Sequence, residues 1–234
     1  MTMTTAGTMQ GEAMQRLSSD LRAVIAKQSI RHGKFTLASG AESTYYCDTK
    51  ATTLSPEGAR LTGEALFDLL KDQGVEAVGG LAMGAAFIAT AVALVSAQHG
   101  QPIYGFTVRD SGQKGHGLKK SIEESFHPDG RALLCAGRRV VLVDDVVTQG
   151  GSVLKAVDAV QERGCEIVCV IALVDRNAGG SAKMRERGLP YYFLFQTDSE
   201  GNLHQNDLAG VFGRSGSSGS GTASRQPPTA RRSV

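Results

Sequence analysis

Two adjacent carboxylates, Asp144 and Asp145, close an uninterrupted apolar run, Val140-Val141-Leu142-Val143. Val146 and Val147 follow, and then the small polar stretch Thr148-Gln149-Gly150-Gly151-Ser152. A continuous apolar run marks a strand buried on both faces, and open α/β sheets bind their ligands at the carboxyl ends of such strands. The Thr-Gln-Gly-Gly-Ser stretch leads into a helical pattern, so its backbone N–H groups can surround an anion with the helix dipole behind them. It contains neither the Gly-Lys-Ser or Gly-Lys-Thr of a Walker A loop nor a Gly-x-Gly-x-x-Gly fingerprint. Two carboxylates beside a phosphate cradle suit a sugar phosphate whose reacting carbon becomes cationic, because they bind its hydroxyls and favour the developing charge.

Other residues have chemistry to offer. Lys114 and His116 lie in Asp110-Ser111-Gly112-Gln113-Lys114-Gly115-His116-Gly117, a stretch with three glycines and no apolar anchor. That composition predicts a mobile loop able to close over a substrate and bring positive charge to a leaving anion. Arg176 follows the apolar run Glu166 to Val174 and can pair with a planar carboxylate through two parallel hydrogen bonds. Tyr45 and Tyr46 either frame a flat ligand or belong to the core. The cysteines, Cys47, Cys135, Cys165 and Cys169, form no Cys-x-x-Cys pair and have no His at ligand spacing, which argues against structural zinc and a disulfide framework.

The elements that must hold these residues are legible in the hydrophobic pattern. Met14, Leu17, Leu21, Val24 and Ile25 recur at three- and four-residue spacing and predict an amphipathic helix from Glu12 to Ile30. Phe35 to Asp48 reads as strand, turn and strand, with Gly33 and Gly40 as turn residues. Ser55-Pro56-Glu57 opens a helix with a cap residue, a proline in the first turn and an acid there; Leu61, Ala65, Leu66, Leu69 and Leu70 give it a buried face and Gly74 ends it. Beyond it, strands at Ala77–Leu81, Ile103–Val108, Arg139–Val143, Glu166–Val174 and Tyr191–Phe195 alternate with helices to about Gln98, from Gly151 to Arg163, and near Ala182. Such alternation predicts an α/β fold, a parallel sheet flanked by helices on both faces.

Composition bounds the function classes. The chain of 234 residues is 41% hydrophobic and 21% charged, which predicts one globular domain of about 200 residues with ragged ends. The boundaries read as a flexible N-terminus over residues 1–11, a domain over 12–212 and a disordered Gly/Ser/Arg tail over 213–234. The formal charge of +2 includes four arginines of that tail, Arg214, Arg225, Arg231 and Arg232, and removing four from +2 leaves the body at −2. A body of that charge argues against nucleic acid as a partner. No apolar run is long enough to cross a bilayer, and Met1 to Gln10 lacks the apolar core of a secretory signal, so no membrane partner and a cytoplasmic location are expected.

Val140 to Ser152 resembles the phosphoribosyl pyrophosphate signature of the type I phosphoribosyltransferases. Further matches resemble the orotate phosphoribosyltransferases: Phe35-Thr36-Leu37-Ala38-Ser39-Gly40 with Ser43-Thr44-Tyr45-Tyr46-Cys47-Asp48, the loop Gly79-Gly80-Leu81-Ala82-Met83-Gly84-Ala85, the group Arg109, Lys114, His116 and Gly117, and Val174-Asp175-Arg176. The resemblance implies the type I phosphoribosyltransferase fold with a small N-terminal hood of helix and strand. It implies transfer of ribose 5-phosphate from phosphoribosyl pyrophosphate to orotate, with Mg²⁺ carried mainly by the pyrophosphate, in a homodimer. Carried over residue by residue, it assigns catalysis to Lys114, His116, Asp144 and Asp145. Phosphoribosyl pyrophosphate then falls to Arg109, Lys114, His116, Asp144, Asp145, Val146, Val147, Thr148, Gln149, Gly150, Gly151 and Ser152, and orotate to Tyr46, Cys47, Thr148 and Arg176. Two positions depart from the pattern: Ala38 and Asp110 stand where the family usually has lysine. The competing readings are a purine or other base phosphoribosyltransferase and a non-catalytic regulator that senses phosphoribosyl pyrophosphate.

Overall fold

The apolar run at residues 140–143 occupies the middle of a seven-stranded sheet in the computed structural model, which describes residues 5–36, 40, 42–110, 121–126 and 128–208, with side chains from residue 13 onward. Along the chain the elements are α1 (Thr5–Gln28), β1 (Ile30–Thr36), β2 (Glu42–Cys47), α2 (Lys50–Thr53), α3 (Pro56–Leu70), β3 (Ala77–Leu81), α4 (Gly84–Gln98) and β4 (Tyr104–Val108). Then come β5 (Ile122–Glu124), β6 (Arg139–Val147), α5 (Gly151–Gln161), β7 (Glu166–Asp175), α6 (Gly180–Glu186), β8 (Tyr191–Thr197) and β9 (Leu203–Gln205). The sheet order is β5-β4-β3-β6-β7-β8-β9. Its five central strands are parallel, as the alternation predicts, and the two edge strands run antiparallel to their neighbours. At three residues each, β5 and β9 are too short to show a period, which is why the sequence does not betray them.

The sheet is covered on both sides, and β6 shows why its sequence is continuously apolar. Val141 and Val143 enter one buried cluster with α1, α3 and α4, whereas Val140 and Leu142 enter the other with α5 and Met184 of α6. Strand β7 repeats the division, Cys169, Ile171 and Leu173 against Val170 and Ala172. Each fully buried aliphatic side chain of this kind contributes about 1.5–3 kcal/mol.

Several boundaries differ from the sequence reading, most by one or two residues and four in ways that bear on the site or on the expected elements. Helix α1 begins at Thr5 rather than Glu12, so residues 5–11, expected as part of a flexible N-terminus, are helical; Ala6, Met9 and Gln10 are good helix formers and no proline interrupts them. Strand β1 starts at Ile30, and Gly33, expected in a turn, sits where the β1–β2 register slips between His32 and Phe35, a bulge. Strand β6 continues to Val147 because β-branched Val146 and Val147 pair with Val174 and Asp175 of β7, so the two carboxylates are inside the strand and not beyond it. Arg163, expected in the last turn of α5, lies past its end at Gln161. The expected start of α3 is found: the Ser55 hydroxyl accepts a hydrogen bond from the Gly58 N–H at 3.1 Å, with Pro56 in the first turn. Residues 209–234, including the expected tail, and Ala38 lie outside the described residues.

Candidate active site

Because β3, β4, β6 and β7 are parallel, their carboxyl ends bring four segments distant in sequence to one edge of the sheet: Gly84, Arg109, the Asp144–Asp145 pair with its loop, and Arg176. The acidic pair divides by exposure. Asp144 is buried, and desolvation, reinforced by the charge of Asp145, pushes its carboxyl up to about 8 from an ordinary 3.8. Its Oδ1 accepts a hydrogen bond from the Asp145 N–H at 3.1 Å. Asp145 is more open, its side chain 14% exposed. It accepts a hydrogen bond from Thr49 at 3.0 Å and lies 3.8 Å from the Lys50 ammonium, which also pairs with Asp48 at 2.6 Å. Burial works against the Lys50 charge, but the Asp48 hydrogen bond and the Asp145 charge outweigh it and hold the ammonium above its ordinary range.

The first residue of α4 comes so near this pair that a side chain there would displace the Asp145 carboxylate. A Cβ at Gly84 would stand 2.1 Å from Asp145 Oδ1. On the other side, Thr148, Gln149, Gly151 and Ser152 are exposed at the start of α5, with Gly150 in the left-handed region (φ 75°) capping the helix. The first N–H groups of α5 have no intrahelical acceptor and face outward with the positive end of the helix dipole, an arrangement that can hold a phosphate. The loop is backed by Gly180, whose N–H donates to the Thr148 carbonyl at 2.9 Å. Val147, assigned by resemblance to ligand binding, is a core residue 1% exposed, and its carbonyl accepts the Arg176 N–H at 2.9 Å. Val146 is half-buried and packs against the cluster on the α4 side.

At the far side of the edge, Arg176 leaves β7 and meets the β1–β2 hairpin. Its Nε donates to the Tyr45 hydroxyl at 3.0 Å, its Nη2 to Ser43 Oγ at 3.3 Å, and its guanidinium carbon lies 4.4 Å from the Tyr45 ring centroid. Cys47, next inward-facing on β2, is buried, and burial pushes its thiol up to about 12 against the opposing charge of Arg176. It therefore stays protonated and unreactive. Strand alternation sends Tyr46 the other way: it is 43% exposed and tilts against Phe35 at 5.7 Å between ring centroids. Of the two tyrosines, Tyr45 is the one beside Arg176.

Lys114 and His116 lie outside the described residues, but the stem of their segment is defined. Strands β4 and β5 pair, the Arg109 N–H donates to the Ser121 carbonyl at 2.9 Å, and the Arg109 guanidinium bonds Glu123 at 2.6 Å. Where the resemblance expects a lysine after Arg109, Asp110 instead pairs with Lys155 of α5 at 2.8 Å. Thr49 and Lys50 border the acidic pair and were not singled out in the sequence, since their partner Asp145 is far away along the chain, whereas Ser43 and Gly84 entered only as members of the motifs that carry the resemblance. Among the described residues no three His, Cys, Asp or Glu side chains gather to hold a metal, and no helix is long and apolar enough to cross a membrane.

Comparison with known proteins agrees with this geometry. The phosphoribosyl transferase domain family matches residues 53–189. The chain is 44% identical over 173 residues to the orotate phosphoribosyltransferase of Rhodopseudomonas palustris (strain BisB5), covering 74% of this chain and 90% of the relative. It is 40% identical over 188 residues to that of Aquifex aeolicus, covering 80% and 96%. Among solved structures, the Mycobacterium tuberculosis H37Rv orotate phosphoribosyltransferase in complex with 5-phospho-alpha-D-ribosyl 1-diphosphate superposes with a TM-score of 0.60 at 34% identity, covering 76% of this chain and 94% of the other.

Proposed function

This chain belongs to the phosphoribosyltransferase family, among its orotate phosphoribosyltransferases, and from that premise we propose how its residues divide the work. The reaction transfers ribose 5-phosphate from phosphoribosyl pyrophosphate to orotate, giving orotidine 5'-monophosphate and pyrophosphate, a step of pyrimidine biosynthesis. The observation that carries the assignment of roles is the convergence of the acidic pair, the α5 N-terminus and Arg176 at one sheet edge.

Thr148, Gln149, Gly150, Gly151 and Ser152 hold the 5-phosphate on backbone N–H groups at the α5 N-terminus. Asp144 and Asp145 grip the ribose hydroxyls and, as the bond to pyrophosphate lengthens, the negative charge the pair shares favours positive charge on the anomeric carbon. Asp144, protonated near neutral pH before substrate arrives, can donate to a hydroxyl oxygen, whereas Asp145 accepts. Arg109, Lys114 and His116 meet the departing pyrophosphate. Arg176 takes the orotate carboxylate, with Cys47 and Thr148 beside the base and Tyr46 at the rim. The hard oxygen donors of the acidic pair, with Asp145 partly accessible, fit Mg²⁺ held mainly by pyrophosphate and water. When bound, the ion neutralises charge on the leaving group. We also propose that the chain works as a homodimer in the cytoplasm.

Purified protein mixed with phosphoribosyl pyrophosphate, Mg²⁺ and a panel of bases is expected to release pyrophosphate with orotate and not with adenine, guanine, hypoxanthine or uracil. Preference for a purine would move the chain to another branch of the family, and no turnover with any base would favour a sensor. A second expectation concerns Gly84. The Cβ of Gly84→Ala must push the Asp145 carboxylate off its Thr49 hydrogen bond, and kcat is expected to fall roughly tenfold, as when one electrostatic partner is misplaced. A Gly84→Ala enzyme with unchanged kcat would separate Asp145 from the chemistry.

A further inference from the structure

Among the described residues, the guanidinium of Arg176 is engaged along one edge. Its side edge, Nε with the neighbouring hydrogen of Nη2, is taken by Tyr45 at 3.0 Å and Ser43 at 3.3 Å. The end formed by Nη1 and the second hydrogen of Nη2 meets no acceptor among the described residues, and it is a fork that matches a carboxylate. Tyr45 is itself fixed on every side. It is 4% exposed, its hydroxyl shares a hydrogen bond with Thr197 Oγ1 of β8 at 2.8 Å, and its ring lies against Gly201 in the β8–β9 turn. A Cβ at Gly201, which has φ 89°, would stand 2.5 Å from the ring, so that turn leaves room for nothing larger. Asp198 holds the turn's shape by accepting the N–H groups of Glu200 and Asn202, both at 2.9 Å, and Thr44 ties β2 to it through the Ser199 carbonyl at 3.1 Å.

We propose that Tyr45 is a positioning residue for orotate: through the relay Arg176–Tyr45–Thr197 it sets the plane of the guanidinium so that the substrate carboxylate is bound end-on by Nη1 and Nη2. The proposal rests on the reading of Arg176 as the carboxylate partner. A tyrosine is required because three functions meet in one side chain: a ring for the guanidinium to lie against, a hydroxyl oxygen that accepts from Nε, and a hydroxyl proton for Thr197. Freed from the relay, Arg176 would keep its charge but sample several planes, and the two-pronged hydrogen bond would form only in a fraction of them. The consequence falls on orotate and leaves phosphoribosyl pyrophosphate untouched.

Tyr45→Phe keeps the ring and removes the oxygen. It is expected to raise KM for orotate about tenfold, the usual cost of a lost hydrogen bond to a charged group, with KM for phosphoribosyl pyrophosphate unchanged. Thr197→Val is expected to move orotate KM in the same direction by less, and Thr197→Ser, which restores the hydroxyl, to return it to the wild-type value. A purely structural latch between hairpin and sheet would lower the melting temperature and the affinities for both substrates together, and that pattern would overturn the proposal. So would an unchanged orotate KM in Tyr45→Phe when Arg176→Ala raises it. If Arg176→Ala itself leaves orotate KM unaltered, the failure belongs to the carboxylate assignment on which the relay depends.

Discussion

Asp144→Asn is expected to lower phosphoribosyl transfer on the order of 10²-fold, because an amide cannot give up a proton and turn negative as positive charge develops on the anomeric carbon, and at the same time to make the protein more stable at neutral and alkaline pH. The second effect follows from burial. In the folded chain desolvation and the neighbouring Asp145 charge push the Asp144 carboxyl up to about 8, whereas in the unfolded chain it titrates at an ordinary 3.8. Between those values the folded state holds a proton that the unfolded state has released. Stability therefore falls as pH rises through that window and levels off above the folded value. An amide has no proton to lose there, so the advantage of Asp144→Asn is near zero at pH 4 and grows to a plateau near pH 8, where roughly a few kcal/mol raise the melting temperature by about 5–10 °C. Melting curves at pH 4, 6 and 8 beside a kinetic assay check both halves. An offset in melting temperature independent of pH would refute the buried-acid account, and full activity would refute the catalytic one. A stabilising substitution that lowers activity is the usual mark of an acid kept buried for its chemistry.

Lys114→Ala is expected to reduce kcat on the order of 10²–10³-fold with little change in either KM, because charge on the pyrophosphate oxygens grows as the bond breaks and the lysine serves that later state. Lys114 lies five residues beyond Arg109, whose backbone bond to Ser121 and ion pair with Glu123 fix the stem of the segment at the carboxyl end of β4. Asp110 and Lys155 tie the same stem to α5, the helix whose N-terminus we assign to the 5-phosphate. If the segment serves the neighbouring subunit of the homodimer proposed above, an inactive Lys114→Ala chain mixed with an inactive Asp144→Asn chain yields heterodimers with one site free of both defects, and activity returns. Verified heterodimers without activity would confine the segment to its own subunit, and a Lys114→Ala enzyme with wild-type kcat would remove the lysine from the mechanism.

The central strand, the acidic pair, the phosphate-cradle loop and the alternation of strands and helices were determined by the sequence, because each is a local pattern. An apolar run four residues long can satisfy itself only between two covered faces, and a strand end followed by small polar residues has few other uses. Tertiary structure decided the rest. Tyr45 lies 131 residues from Arg176 and 152 from Thr197, so no spacing could announce their relay. Strand alternation, set by how the β1–β2 hairpin docks, turned Tyr45 and Cys47 inward and Tyr46 out, although side by side in sequence the two tyrosines are equivalent. Pairing with β7 drew β6 on to Val147 and so took Asp144 into the interior. The pair's chemical division, one carboxyl desolvated and held protonated and the other less buried beside Lys50, follows from that depth: the cost of a charge is set by the groups that surround it, and the chain brings them together only when it folds.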